Sequence, residues 1–179
     1  MELLDINAEL KIASEHIKEE QLDKFIEEVN SHKRIFVYGT GRSGLMLKAL
    51  AMRLMQIGCH SFVVGETTTP SVEKGDLLIV ASASGETASV CSAADDGEKQ
   101  GADVLVVTGN KESTLSRRHE PLIRIEAGTK FTESQASAQP LGSLFEQMLL
   151  MIFDAVILRM GAKNAETNKK MAKRHASIE

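Results

Sequence analysis

The sequence predicts an α/β fold: a three-layer, doubly wound sandwich built on a five-stranded parallel sheet. Between residues 33 and 126, short apolar runs alternate with longer stretches of helical periodicity. The connections between the runs are crossovers, which is typical of a parallel sheet covered on both faces. The chain has 179 residues, 42% hydrophobic and 26% charged, which suffices for one such domain with a sizeable core.

The patterns also predict where the elements lie. Strands are expected at residues 35–38, 61–64, 77–81, 104–108 and 122–125, and helices between them at residues 43–57, 87–100 and 112–119. Apolar residues at near-helical spacing predict an N-terminal helical hairpin. We expect a single domain over residues 1–179, with N-terminal helices at 1–32, a sheet core at 33–126 and C-terminal helices at 140–179.

The last third of the chain predicts an unusual helix. Residues Leu144–Ile157 are apolar on nearly all sides, so this helix is either the centre of the core or a subunit interface. The polar stretch Ala127–Gln139 before it is long enough for an active-site loop. The polar tail, residues 164–179, is expected to fray unless it docks.

Composition excludes several classes of protein. The 21 basic and 25 acidic residues leave a net charge of -4, the wrong sign for wrapping nucleic acid. Cys59 and Cys91 lack the spacing of a zinc site or a disulfide framework, so we expect core thiols in a reducing compartment. The chain begins with acidic residues rather than a secretory signal, and no segment is long and apolar enough for a membrane span, so we expect a cytoplasmic protein.

The first candidate ligand-binding loop is Gly39–Gly44, between the first strand and the next helix. Glycines such as Gly41 allow close backbone approach, and the helix start, Arg42 and Ser43 offer donors to a phosphate. The same residues also match a dinucleotide-binding fingerprint, with Glu66 as the ribose partner. The loop alone leaves both interpretations open.

A second loop, Ser82–Thr87, follows the third strand and opens another helix. The hydroxyls of Ser82, Ser84 and Thr87, together with the helix start, make a second anion cradle. A pyrophosphate held at the first loop would not require it. The alternative is that Ser84 or Thr87 only caps the helix.

The third segment, Gln139–Gln147, enters the apolar helix. Ser143 and Glu146 have the S-x-x-E spacing of a capping box, in which Glu146 would reach back to the helix start. A carboxylate beside an apolar helix is also partly desolvated and basic enough to remove a carbon-bound proton. From the sequence alone, a capping role and a catalytic role for Glu146 are equally well supported.

In this order, these segments resemble the sugar isomerase (SIS) domain family, and within it the branch that isomerises 3-hexulose phosphates. The resemblance spans nearly the whole chain and is carried by residues 39–44 running into 51–54, 64–70, 82–87, 139–147 and 175–176. It implies a SIS domain of flavodoxin-like or Rossmann-like type. The tail departs mildly, because Ser177 and Ile178 stand where the family pattern has Asn and Leu.

The resemblance implies interconversion of D-arabino-hex-3-ulose 6-phosphate and fructose 6-phosphate through a cis-enediol. Glu146 would carry the proton between C2 and C3, with Glu66 as the reserve base. His175, docked from a neighbouring subunit, would shuttle protons between the two oxygens. The expected substrate-binding residues are Gly41, Arg42, Ser43, Glu66, Ser82, Ser84, Gly85 and Thr87.

The resemblance also implies a homotetramer and a partner enzyme, 3-hexulose-6-phosphate synthase, in the ribulose monophosphate pathway of formaldehyde fixation. We expect no cofactor, because the sequence shows no convincing cluster of metal ligands and enediol chemistry needs none. The alternatives are another sugar-phosphate isomerase, a non-catalytic sugar-phosphate sensor that needs neither Glu146 nor His175, and a nicotinamide-dependent enzyme.

Overall fold

The computed structural model describes residues 1–127, 137–162, 166–175 and 177. Five parallel strands form one sheet in the order β2-β1-β3-β4-β5. They are β1 (Arg34–Tyr38), β2 (His60–Val63), β3 (Leu77–Ser82), β4 (Asp103–Thr108) and β5 (Pro121–Arg124). The predicted five-stranded parallel sheet is confirmed, with strand limits within about two residues of those expected.

Seven helices surround the sheet in the described residues. They are α1 (Glu2–Glu15), α2 (Glu19–Ser31), α3 (Gly41–Ile57), α4 (Ala88–Lys99), α5 (Thr114–Arg118), α6 (Ser143–Ala162) and α7 (Thr167–Arg174). Side chains alternate across the strands, so Ile35 and Val37 face α2, α3 and α6, whereas Phe36 faces the layer that contains α4. The result is the predicted three-layer sandwich.

The strand order places one crevice at the sheet's carboxyl edge. From β1 the chain crosses to β2 on one side and then returns to β3 on the other side, so the topology switches between β1 and β3. Tyr38, the last residue of β1, is in register with Val80, and β3 continues to Ser82, so the loops that follow both strands lie at the same edge of the sheet. In open α/β sheets, ligands bind at such a switch point.

Helix α6 lies at the centre of the core, which is one of the two positions that its apolar sequence predicted. Its inner side chains are buried against the sheet, against α3 and against the N-terminal helices, where the rings of Phe25 and Phe153 lie 6.1 Å apart. Helices α1 and α2 form as expected, and each packs against α6. Leu150, Met151 and Leu158 on the outer side of α6 are exposed.

Two segments outside the sheet affect how it is covered: the connection from β2 to β3, and the C-terminal tail. Residues 64–76 between β2 and β3 are all described and contain no helix, so α4 and α5 cover that face together with Val64 and Val72 of this connection. The described part of the C-terminal tail docks, because α7 packs on α3 and the Arg174 guanidinium donates a 3.0 Å hydrogen bond to the Gln56 carbonyl. The expected loop at 127–139 lies mostly outside the described residues.

The two cysteines behave largely as expected. Cys91 is buried, and Cys59 is half-buried against the core. Burial raises the pKa of both thiols, which keeps them in the protonated form. None of the described helices combines the length and the apolar character needed to cross a membrane.

Candidate active site

A polar pocket of about 180 Å³ opens at the carboxyl edge of the sheet, at the switch point between β1 and β3. Residues from all three segments singled out in the sequence line it. They are Thr40, Ser43, Ala81, Ser82, Ala83, Ser84, Thr87, Leu141, Gly142 and Glu146. The fold therefore brings together segments that lie far apart in the chain.

Three helices begin at this pocket: α3, α4 and α6. Thr40 and Thr87 occupy the N-cap positions of α3 and α4, and in the described part of the chain neither side chain caps its helix. The first N–H groups of a helix have no partner within it, and the helix dipole makes that end positive. The pocket is therefore suited to an anion such as a phosphate.

The second loop uses its hydroxyls to shape the pocket rather than to cap α4. The Gly85 N–H donates to the Ser82 Oγ at 3.1 Å, and this hydroxyl lies 3.2 Å from the Thr87 Oγ1. The Ser84 Oγ accepts from the Glu86 N–H at 3.2 Å. Capping alone therefore does not explain this loop, and the hydroxyls of Ser82, Ser84 and Thr87 stand at the pocket.

Gly85 shapes the loop from behind and, among the described residues, is not part of the pocket lining. Its φ is +66°, and a Cβ there would lie 2.0 Å from the Ser113 Oγ. Its carbonyl accepts a 3.0 Å hydrogen bond from the Leu115 N–H of α5. A glycine is needed here because the loop passes so close to α5.

The first loop is held by the close approach of α3. A Cβ on Gly44 would lie 2.5 Å from the Gly39 carbonyl oxygen, so the helix start packs directly on the loop. Gly41 has a φ of +56° and faces open space. Ser43 is nearly buried and lines the pocket, as expected.

Glu146 faces the pocket and does not close a capping box. Its Oε2 lies 2.8 Å from the Nε of Arg42, and only 16% of its side chain is exposed. The Ser143 hydroxyl donates instead to the Pro140 carbonyl at 2.8 Å. The Glu146 side chain therefore faces the pocket rather than the start of its helix, and Arg42 lies beside it.

The structure does not bring Glu66 into this pocket. Among the described residues Glu66 is absent from the lining, and its carboxylate pairs with the Lys48 ammonium at 3.4 Å, with both side chains about half exposed.

His175 also lies away from the pocket of its own protomer. It directly follows α7, whose Arg174 binds at Gln56, near the end of α3 opposite to Ser43. The rise of an α-helix puts those two ends of α3 about 20 Å apart. Within one protomer, His175 and Glu146 are therefore not neighbours.

Three further residues line the pocket, although no sequence pattern indicated a role for them: Thr40, Leu141 and Gly142. The helix-start position of Thr40 was a signal that could have found it. No sequence signal marked Leu141. Its side chain is 75% exposed, and its left-handed φ of 57° is unusual for a residue with a side chain.

The chain is similar to known proteins over nearly its whole length. The SIS domain matches residues 28–152. The 3-hexulose-6-phosphate isomerase of Bacillus subtilis is 38% identical over 177 residues, covering 98% of this chain and 96% of that protein. The protein of the same name from Mycobacterium gastri is 38% identical over 161 residues, covering 89% and 81%.

A crystal structure from Methanococcus jannaschii, whose molecular function was inferred as 3-hexulose-6-phosphate isomerase, is 31% identical. It superposes with a TM-score of 0.86 over 99% of both chains. The shared fold extends beyond the matched domain to include both terminal regions. The chain belongs to the SIS domain family.

Proposed function

We propose that this protein is a 3-hexulose-6-phosphate isomerase, which interconverts D-arabino-hex-3-ulose 6-phosphate and D-fructose 6-phosphate. One observation carries the proposal: a single pocket joins three helix N-termini, a cluster of hydroxyls and one carboxylate. Helix N-termini and hydroxyls suit the phosphate, and the carboxylate suits the proton transfer. The near full-length identity to the Bacillus subtilis isomerase supports the same reaction.

The phosphate binds at the start of α4. The hydroxyls of Ser82, Ser84 and Thr87 and the free backbone N–H groups of the helix start donate to its oxygens. Ser43 adds a hydroxyl from the start of α3. Gly85 contributes by setting the loop's backbone, and Gly41, which lies outside the pocket lining among the described residues, lets the first loop turn with a left-handed φ of +56°.

Glu146 is the base. It removes the proton from C2 of the 3-ulose, and the electrons of that C–H bond form the C2=C3 bond of a cis-enediol. The proton is then returned to C3, so that the carbonyl moves from C3 to C2. One carboxylate on one face of the substrate performs both transfers.

Arg42 lies within hydrogen-bonding distance of the base and is the cation of the site. Its guanidinium holds the Glu146 carboxylate at 2.8 Å and is itself 58% exposed, so it is free to turn toward an incoming sugar phosphate. We assign it the orientation of the sugar and the neutralisation of charge. Glu66, which pairs with Lys48 outside the pocket, stays the reserve base.

The protons on the two oxygens are moved by His175 of a neighbouring subunit. This requires an oligomer, for which we propose a homotetramer. Exposed apolar side chains on α3 and α6 support association, because a monomer would leave them in water. They are Met52, Met55, Leu150, Met151 and Leu158.

In the cell, the enzyme acts in the cytoplasm on the product of 3-hexulose-6-phosphate synthase, in the ribulose monophosphate pathway of formaldehyde fixation. The reaction needs no metal or organic cofactor, since the enediol route uses only proton transfers. The chain acts as a single SIS domain.

The test is a coupled reaction with purified 3-hexulose-6-phosphate synthase, ribulose 5-phosphate and formaldehyde. We expect fructose 6-phosphate to form only when the chain is present, and a chelator added after the synthase step to leave the rate unchanged. If fructose 6-phosphate binds but none forms, the proposal is wrong and the protein is a sensor or acts on another sugar phosphate.

A further inference from the structure

Helix α1 holds the segment that leads into the active site through one carboxylate. Glu9 accepts three hydrogen bonds from residues 137–139: from the Ser137 hydroxyl at 2.6 Å, the Ala138 N–H at 2.7 Å and the Gln139 side-chain amide at 2.9 Å. These donors come from three consecutive residues, and they use both carboxylate oxygens. Hydrogen bonds to an ionised acceptor are the strong ones.

The anchored segment is directly continuous with the catalytic carboxylate. The Ser143 N–H and hydroxyl both bind the Pro140 carbonyl, at 3.2 and 2.8 Å. The Glu146 N–H in turn binds the Gly142 carbonyl at 3.0 Å. Residues 137–140 are therefore joined by short local hydrogen bonds to the first turn of α6, which carries Glu146.

A strained residue lies between the anchor and the helix. Leu141 has a φ of 57°, a left-handed conformation that residues with a side chain rarely adopt. Such strain persists only where the surrounding structure imposes it. Here the chain is held on one side by Glu9 and on the other by the start of α6, and Leu141 lines the pocket between them.

We propose that Glu9 is a positioning residue for the isomerase reaction, which fixes the loop carrying Leu141 and Gly142 and thereby aims Glu146 at the substrate. Glu9 lies before the part of the chain that matches the SIS domain, residues 28–152. The proposal rests on the proposed function. It makes α1 part of the catalytic apparatus.

The pKa of the Glu9 carboxyl is lowered, first by the Ser137 hydrogen bond and next by that from Gln139. The carboxylate form is therefore the one that the loop binds. Protonation or removal of the carboxylate would release the segment, whereas the phosphate cradle on Ser82, Ser84 and Thr87 belongs to other elements and would stay in place.

The test compares Glu9→Ala with Glu15→Ala, which removes an exposed acid from the end of the same helix. We expect Glu9→Ala to lower kcat about tenfold or more, because small misplacements of a catalytic group have large effects, while KM stays within about twofold. Exchange of the Ala138 amide hydrogen should become faster. Glu15→Ala should change none of the three.

A second, more conservative variant keeps the test valid if Glu9→Ala does not fold. Glu9→Gln keeps the length of the side chain but offers one acceptor oxygen in place of two, so its kcat should lie between those of the wild type and Glu9→Ala. The proposal is overturned if the kcat of folded Glu9→Ala stays within twofold of the wild type, or if its Ala138 exchange is unchanged. If only Glu9→Gln folds, a kcat and an Ala138 exchange equal to those of the wild type overturn it. If the wild type itself is inactive, the proposed function fails, and the exchange measurement still decides the role of Glu9.

Discussion

Glu146 shows how one residue can fit two local patterns that differ in chemistry. Its spacing from Ser143 is that of a capping box, yet the Ser143 hydroxyl bonds to Pro140 and the Glu146 carboxylate to Arg42. The choice depends on Arg42, which comes from another helix and which no local pattern places beside Glu146. The Glu146 carboxylate therefore lies at the edge of the pocket beside a cation, rather than at the start of its own helix.

Replacement of this carboxylate gives the first prediction. Glu146→Gln should preserve the fold and the affinity for fructose 6-phosphate but lower kcat by about a hundredfold to ten-thousandfold, because it removes the base and keeps the shape. Steady-state kinetics and a binding titration measure the two effects. Glu66→Gln is the matched control and should retain near-normal turnover. The opposite ranking of the two variants would move the base to Glu66.

At the scale of elements, His32 ties helix α2 to strand β4. The ring is almost fully buried at the C-terminus of α2, with Nδ1 2.7 Å from the Glu28 carbonyl and Nε2 2.8 Å from the Asp103 carboxylate. Both neighbours are acceptors, so both ring nitrogens donate and the imidazolium form fits best. Burial opposes the charge, but the hydrogen bonds from the ring to Glu28 and Asp103 outweigh it and raise the pKa of His32.

The raised pKa of His32 predicts that the free energy of unfolding depends on pH. A raised pKa in the folded state means that the contribution is fully present below the unfolded value of about 6.5 and is lost as the pH rises through the folded pKa. His32→Gln should therefore lower the free energy of unfolding by about 1 kcal/mol at pH 5.5, as expected for a cation at a helix C-terminus, and by less at pH 8.5. Urea unfolding at both pH values measures this. A difference between wild type and variant that grows with pH would contradict it.

Most elements could be predicted because their signals are local. The apolar runs and helical periods place the strands and helices α3, α4 and α5 within about two residues of their observed limits, whereas α6 continues five residues beyond its apolar stretch. The docking of α7 was not predictable, since Thr167–Arg174 is polar and its contact with α3 depends on Arg174 reaching the Gln56 carbonyl. Polarity indicates exposure but not which surface a short helix binds.

At the scale of the whole molecule, the proposed mechanism requires more than one chain. Each protomer holds Glu146 in the pocket and His175 near the far end of α3, so a complete site needs His175 from a neighbour. The exposed apolar residues of α3 and α6 are the surfaces that we expect to bring two chains together.

Subunit mixing tests this arrangement. Glu146→Gln should be nearly inactive, and His175→Ala should be reduced less severely. Refolded together in equal amounts, they should regain activity above the average of the two, because about a quarter of the sites combine an intact Glu146 with an intact His175 from a neighbour. A mixture of Glu146→Gln and Glu146→Ala is the control and should regain none. Confirmed mixed oligomers without any gain, or an unaffected His175→Ala, would exclude the shuttle role.

The sequence by itself determined the layered α/β fold, the order of the elements and the three segments that line the pocket, since periodicity and loop chemistry are properties of neighbouring residues. The tertiary structure alone decided that Arg42 holds Glu146, that Gly85 packs behind the loop against Ser113, and that Glu9 anchors Ser137 from 128 residues away. Those contacts join separate elements. Their partners are chosen by how the helices pack on the sheet, and no local pattern encodes that packing.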